Sequence, residues 1–207
     1  MARPRVHDDA LRDRLVASAA EVVASKGVDG VSLRALAEEC GTSTSAVYSI
    51  FGSKEALVDA VVAEADESFS DSQRRALARP ASGPVHSLAL LGLAYRRWAL
   101  DHPALYAVMF ARNGAIATTD VLAAESIAPL RSVVEECFDA GIFAAGPSVG
   151  DVVLSIWAGV HGFVSLEIGQ LRFPSKRAAE RCYRAHLAAI AQSWQANPRS
   201  SEADASG

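Results

Sequence analysis

Residues 32–54 read SLRALAEECGTSTSAVYSIFGSK, and this stretch decides the architecture of the N-terminal part of the chain. Ser32 suits an N-cap, because its side-chain oxygen can accept from an unpaired amide of the first turn, and Leu33, Leu36, Ala37 and Cys40 follow at helical spacing. A helix of about two turns reaches Glu39 by this pattern. Gly41 then supplies the left-handed backbone that lets the chain leave one helix sharply, and Ser43 can cap another at once. Val47 and Phe51 share one face of this second helix and can pack on Leu36 and Ala37. The other face carries Thr44, Ser45, Tyr48 and Ser49, short polar groups and one phenol. Such a surface is poor core and fair groove surface.

The spacing of Ala37, Gly41 and Val47 is similar to a helix-turn-helix, and the continuation AVYSIFGSKEAL (46–57) resembles the TetR family of bacterial regulators. The resemblance covers roughly residues 8–60. It implies that the second helix of the pair enters the major groove of double-stranded DNA. Carried onto this chain, it makes Tyr48 and Lys54 the phosphate contacts, Ser32 and Thr44 further backbone contacts, and Ser45 and Ser49 the base-facing positions. Ser43 and Arg34 complete the candidate set. Lys54 also opens the next helix behind Ser53, so the amides there add to its charge at a phosphate. Taken one at a time, each of these residues also fits a structural part: Tyr48 a core aromatic, Lys54 a solvated lysine, the serines caps.

Two departures from the family pattern bear on function. Thr42 stands where the family usually places an apolar residue. The helix that the resemblance makes the recognition helix contains no Arg, Lys, Asn or Gln, so it offers no bidentate contact to guanine or adenine edges. Specificity then falls to hydroxyls, to Ala46 against a thymine methyl, to Arg34, to Arg3 and Arg5 in an N-terminal arm, and to DNA shape.

Charge does not argue for nucleic acid. The 207 residues carry a formal net charge of −4. Residues 1–60 hold seven Lys or Arg against nine Asp or Glu, a net of 7 − 9 = −2. What a phosphate interface needs is a few cations at one edge, with Asp8, Asp9, Asp13 and Glu21 turned away. Half the chain is apolar, enough for a real core. Cys40, Cys137 and Cys182 make an odd count with no close pair, so neither a disulfide framework nor a zinc site is indicated, and they fit buried thiols of a reducing compartment. The longest apolar stretch, Ile156 to Leu166, is broken by His161 and Ser165 and is too short to span a bilayer. A cytoplasmic protein without cofactor, metal or membrane is expected.

Beyond the turn segment the punctuation predicts helices throughout, an all-α chain with a three-helix head and a C-terminal bundle. A first helix is expected from about Asp8 to Ser25, with Leu11, Leu15, Ala19, Val22 and Val23 on one stripe. From Lys54 a long connector helix runs towards Arg75, and RPASGP (79–84) breaks the chain. Further helices are expected over about 85–100, 103–111, 119–140 (with Pro129 kinking or resetting it), 148–171 and 175–197. The implied domains are a head (1–53), a connector (54–84), a ligand-binding and dimerisation domain (85–197) and a disordered polar tail (198–207).

The helix from Asp151 carries Val153, Ile156, Trp157, Val160, Phe163 and Val164, with Gly159 and Gly162 permitting close approach, and the last adds Leu187, Ile190 and Trp194. Helices apolar on more than one side need partners, which points to a homodimer, or else to a monomer core. The segments AYRRWALDHPALYAVMF (94–110) and WAGVHGFVSLEI (157–168) resemble the C-terminal region of a TetR subgroup with a Trp and then a His-Gly pair. Tyr95, Trp98, Tyr106, Met109, Phe110, Trp157 and His161 are the candidate ligand-binding residues for a small hydrophobic or aromatic effector, with Arg97, His102 or His161 as polar readers. The same rings serve equally well as ordinary core. His161, Ser165 and Glu167 share one helix without the geometry of a catalytic group, so no enzyme is expected. The rival to a ligand-responsive repressor on a palindromic operator is an all-α small-molecule binding or carrier protein whose head no longer binds DNA.

Overall fold

The computed structural model describes residues 6–111 and 125–196. Its helices are α1 (Val6–Lys26), α2 (Leu33–Glu39), α3 (Thr44–Phe51), α4 (Lys54–Leu77), α5 (Pro84–Asp101), α6 (Pro103–Ala111), α7 (Ala128–Asp139), α8 (Val149–Gly169) and α9 (Lys176–Ser193), with 3-10 turns at Val28–Gly30 and Glu125–Ile127. They fall into two compact units, residues 6–68 with 102–111, and residues 69–101 with 125–196.

Local chemistry explains most boundaries. Ser32, Ser43 and Ser53 each accept a hydrogen bond from the amide three residues on, at 3.4, 3.1 and 3.0 Å. After α2 the Thr42 amide donates to the Ala37 carbonyl at 2.8 Å and Gly41 adopts φ 65°, a helix stop in which glycine carries the left-handed position. Gly141 ends α7 in the same way, with Ile142 N donating to Cys137 O at 2.9 Å. Pro129 lies in the first turn of α7, so it starts that helix and does not kink one. Ser148 and Asp151 cap α8 reciprocally.

In the first unit α1 lays Leu15, Val16, Ala19, Ala20 and Val23 against Leu36, Ala37, Val47, Leu57 and Val61. Ala104 and Val108 of α6 are buried in the same cluster. The sequence reading assigned α6 to the C-terminal domain; the structure groups it with the head, because its small buried face fits against α1.

The second unit is a bundle of α5, α7, α8 and α9 with the end of α4. Arg96 of α5 grips Glu167 of α8 through two hydrogen bonds, Nε to Oε2 at 2.7 Å and Nη2 to Oε1 at 2.6 Å, and the guanidinium lies 5.5 Å from the Tyr183 ring. The Tyr183 hydroxyl donates to the Gly92 carbonyl at 2.7 Å, tying α9 to α5. Gly92 and Gly159 are close-approach positions: a Cβ at either would lie 2.6 Å from Leu187 or Ile190 of α9. Gly162, expected to act likewise, has open space around its Cβ position.

Two details differ from the sequence reading. The last helix stops at Ser193, short of Asn197, because Ala144 N donates to Trp194 O and Ala196 N to Ile142 O, both at 2.9 Å, making an antiparallel bridge between Phe143 and Gln195. The apolar run at Ile156–Leu166 sits in a 21-residue helix that is long and apolar enough to cross a bilayer by composition. That helix instead buries Val152, Val153, Ile156, Val160 and Val164 in the bundle and holds Glu167 in an ion pair. The expected tail (198–207), the arm arginines Arg3 and Arg5, and the start of the helix expected from Thr119 lie outside the described residues.

Candidate DNA-binding face and ligand cavity

Helix α3 turns Val47 fully inward, and Ile50 and Phe51 pack partly against the same core. This anchoring leaves Ser45, Tyr48 and Ser49 on the outside, with Tyr48 53% exposed. A tyrosine so far out of a well-formed core contributes little to stability and presents its hydroxyl to whatever lies alongside. Thr44 is half-buried at the first turn, Ser43 and Ser32 are exposed caps, and Arg34 projects from α2. No carboxylate stands on α3 itself.

Lys54 is half-buried at the first residue of α4, and its Nζ donates to the Asp29 carbonyl at 3.3 Å. An ammonium has three donors, so this bond aims the head group without exhausting it. Glu55, next to it, sits fully exposed with its carboxyl held below the usual range by the first-turn amide and the Ser53 hydroxyl. Arg12 stacks 6.0 Å from the Phe51 ring, bringing a further cation from α1 to the end of α3.

The second unit holds a cavity of about 250 Å³ that opens to solvent on one side. Tyr95 and Trp157 line it, together with Phe69, Leu88, Ile156 and Leu187. Trp98 stands just behind, its ring 5.1 Å edge-on to Phe69. His161 forms a second layer: its ring stacks 5.2 Å from Trp157, Nδ1 is bonded to the Tyr95 hydroxyl at 3.0 Å and Nε2 to Ser165 Oγ at 3.3 Å. Burial lowers its pKa below the ordinary imidazole value, so it is a neutral ring that holds Tyr95 in place. Tyr106, Met109 and Phe110 are not brought to this cavity. They belong to α6, where the Tyr106 and Phe110 rings meet at 4.8 Å. Of the other polar readers, Arg97 is exposed and paired with Asp101, and His102 is exposed in the first unit.

Gln73 was missed. It lines the cavity from α4, only 5% exposed. The signal lay in the sequence: Val61, Ala65, Phe69 and Gln73 recur every fourth residue, which puts a polar amide on the buried stripe of the connector helix.

Comparison with known proteins matches both parts of the chain. Residues 15–61 match the description "Bacterial regulatory proteins, tetR family" and residues 88–190 match "Tetracyclin repressor-like, C-terminal domain". The HTH-type transcriptional regulator Rv1816 of Mycobacterium tuberculosis is 27% identical over 175 residues, which cover 69% of this chain and 74% of that protein. A protein of unknown function from Rhodococcus sp. RHA1 superposes with a TM-score of 0.74 at 28% identity, over 90% of this chain and 96% of its own. The TetR family transcriptional regulator PfmR from Thermus thermophilus shares the fold at 21% identity, with a TM-score of 0.69 over 87% of this chain and 98% of its own. What sets catalysis aside is this membership in a family of regulators. With a head and a C-terminal region that each match their family description, the chain belongs to the TetR family of bacterial transcriptional regulators.

Proposed function

We propose that this protein is a cytoplasmic, homodimeric repressor that leaves a palindromic DNA operator when a small hydrophobic effector enters the cavity of its second unit. The observation that carries the DNA half of this reading is the outward polar face of α3, with Tyr48 53% exposed. Tyr48 and Lys54 grip phosphates, with Ser32, Ser43 and Thr44 as further backbone contacts. Ser45, Ser49 and Arg34 meet base edges or their surroundings.

The dimer is supported by α8, where exposed Leu154, Ala158 and Leu166 repeat at helical spacing and so share a face. Leu154 and Leu166 are each 45% exposed, an apolar surface that a two-fold axis can cover by pairing it with itself. Two heads related in this way match the two halves of a near-palindrome.

For the switch, α4 is the connection: residues 54–68 belong to the head unit and residues 69–77 to the cavity unit. An effector against Phe69 and Gln73 acts on the same helix that starts at Lys54. Release requires unequal affinity for the DNA-competent and incompetent states, typically about 1–3 kcal/mol of coupling.

Sheared genomic DNA passed over the immobilised protein tests this reading. Enrichment of a few fragments that contain inverted repeats supports it. Retention of no DNA at low salt favours the rival, a small-molecule binding or carrier protein with an inactive head, for which the net charge of −2 over residues 1–60 is the motivating observation.

A further inference from the structure

The cavity is apolar almost all round, and the exceptions sort cleanly. The Tyr95 hydroxyl is bonded to His161. Arg184 reaches the rim from α9 but is held by Glu180 through Nε at 3.0 Å and Nη2 at 2.8 Å, with both side chains half exposed. Ser126 contributes a small hydroxyl at one end. Gln73 is different: its side chain is 95% withdrawn from solvent and its Nε2 has no hydrogen-bond partner. A buried amide without a partner is destabilising, and folded proteins keep few such groups.

We propose that Gln73 is the polar reader of this cavity, selecting an uncharged and largely apolar small molecule that presents a hydrogen-bond acceptor, a carbonyl oxygen or its equivalent, to the side-chain amide. The inference rests on the ligand-responsive reading above and adds to it the effector's chemical class. Neutrality follows from the lining. Among the described lining residues the one charged side chain, Arg184, is already compensated by Glu180, so a carboxylate or ammonium ligand would enter an apolar space without a counter-charge. An acceptor follows from Gln73 Nε2, the fully buried side-chain donor without a partner among the described residues that line the cavity. The volume of about 250 Å³ suits a compact bicyclic or tricyclic skeleton more than a long chain. Because the reader stands on α4, the polar contact falls on the connector helix, while the rings and aliphatic side chains of the bundle supply sequence-tolerant apolar contact.

Calorimetric titration with matched probes tests the assignment: indane against indanone, tetralin against tetralone, and fluorene against fluorenone, with fluorene carboxylate as the anionic arm. The full-length wild type should bind each ketone about tenfold tighter than its hydrocarbon, as one well-made hydrogen bond implies. In Gln73→Met, which keeps length and apolar volume, the hydrocarbons should bind as before and the ketone preference should vanish. Gln73→Leu should behave in the same way, and an unchanged circular dichroism spectrum with a melting temperature at or above that of the wild type certifies both folds. Equal binding of ketone and hydrocarbon by the wild type, or a ketone preference that survives both substitutions, overturns the role of Gln73 and leaves the ligand cavity standing. Fluorene carboxylate binding as tightly as fluorenone overturns the uncharged class. Failure of every probe to bind the wild type overturns the cavity reading along with it.

Discussion

Tyr95 on α5 and His161 on α8 are joined by a 3.0 Å hydrogen bond between the phenol and Nδ1, and Ser165 occupies the other ring nitrogen. These bonds orient the imidazole behind the cavity wall, and burial favours its neutral form, lowering its pKa from the ordinary 6.5. In the unfolded chain the same ring takes up a proton first as the pH falls. The stability it contributes is therefore present above about pH 6.5 and is lost as pH falls from there towards the folded-state pKa. Melting temperatures measured from about pH 7.5 to pH 5 should drop more steeply for the wild type than for His161→Gln. Parallel curves would remove His161 as the source.

Arg96 and Glu167 form a two-pronged pair whose side chains are only 14% and 9% exposed. The hydrogen bonds to Glu167 raise the Arg96 pKa, so the guanidinium keeps its charge. Removing one partner strands the other. Glu167→Ala should cost on the order of 3 kcal/mol in urea unfolding, and the double replacement Arg96→Met with Glu167→Leu should recover most of it. A single-variant loss below about 1 kcal/mol would place this pair among ordinary surface ion pairs.

The glycines that admit α9 also set the size of the cavity. Leu187 and Ile190 line it, and a Cβ on Gly92 or Gly159 would come within 2.6 Å of their terminal methyls. Those side chains can yield only by rotating, and the open side is the cavity. Gly159→Ala should weaken binding of fluorenone more than it weakens the fold, whose loss should stay within about 1–3 kcal/mol. Retained affinity alongside an intact fold would show that Ile190 moves elsewhere.

The three cysteines should react in order of access. Cys182 is exposed, Cys40 is half-buried, and Cys137 is buried with its thiol pushed up to about 11 by desolvation. Native protein treated with a thiol-specific reagent should lose Cys182 first and keep Cys137 until it is denatured. Mass spectrometry of the labelled peptides reads the order, and early modification of Cys137 would mean that α7 opens readily.

How far the sequence announced all this depended on how local the cause was. Ser32, Ser43, Ser53, Gly41 and Gly141 act within their own turn, so the caps and stops they make were legible residue by residue. The two faces of α3 were legible as well, since Val47 and Tyr48 are fixed by helical period alone. Membership of α6 was not: Pro103–Ala111 is apolar on several sides, and only the tertiary fit of Ala104 and Val108 against α1 decides where it packs. That same ambiguity put Tyr106, Met109 and Phe110 in the ligand set. The end of α9 depends on a bridge to Phe143, some fifty residues earlier in the chain, which no local signal carries. Gln73 was visible in the period of α4, yet its importance depends on the cavity that α5, α8 and α9 build around it.

The central claim, that α3 lies in the DNA groove with Tyr48 and Lys54 on the phosphates, is tested most directly by fluorescence anisotropy with a retained genomic fragment across a range of salt. Lys54→Ala should weaken binding to specific and unrelated DNA alike and reduce the slope of log affinity against log salt by about one unit. Tyr48→Phe should weaken both to a similar degree, whereas Ser45→Ala should change the ranking of fragments and leave the slope unchanged. Wild-type affinity and an unchanged slope for Lys54→Ala and Tyr48→Phe together would contradict the account.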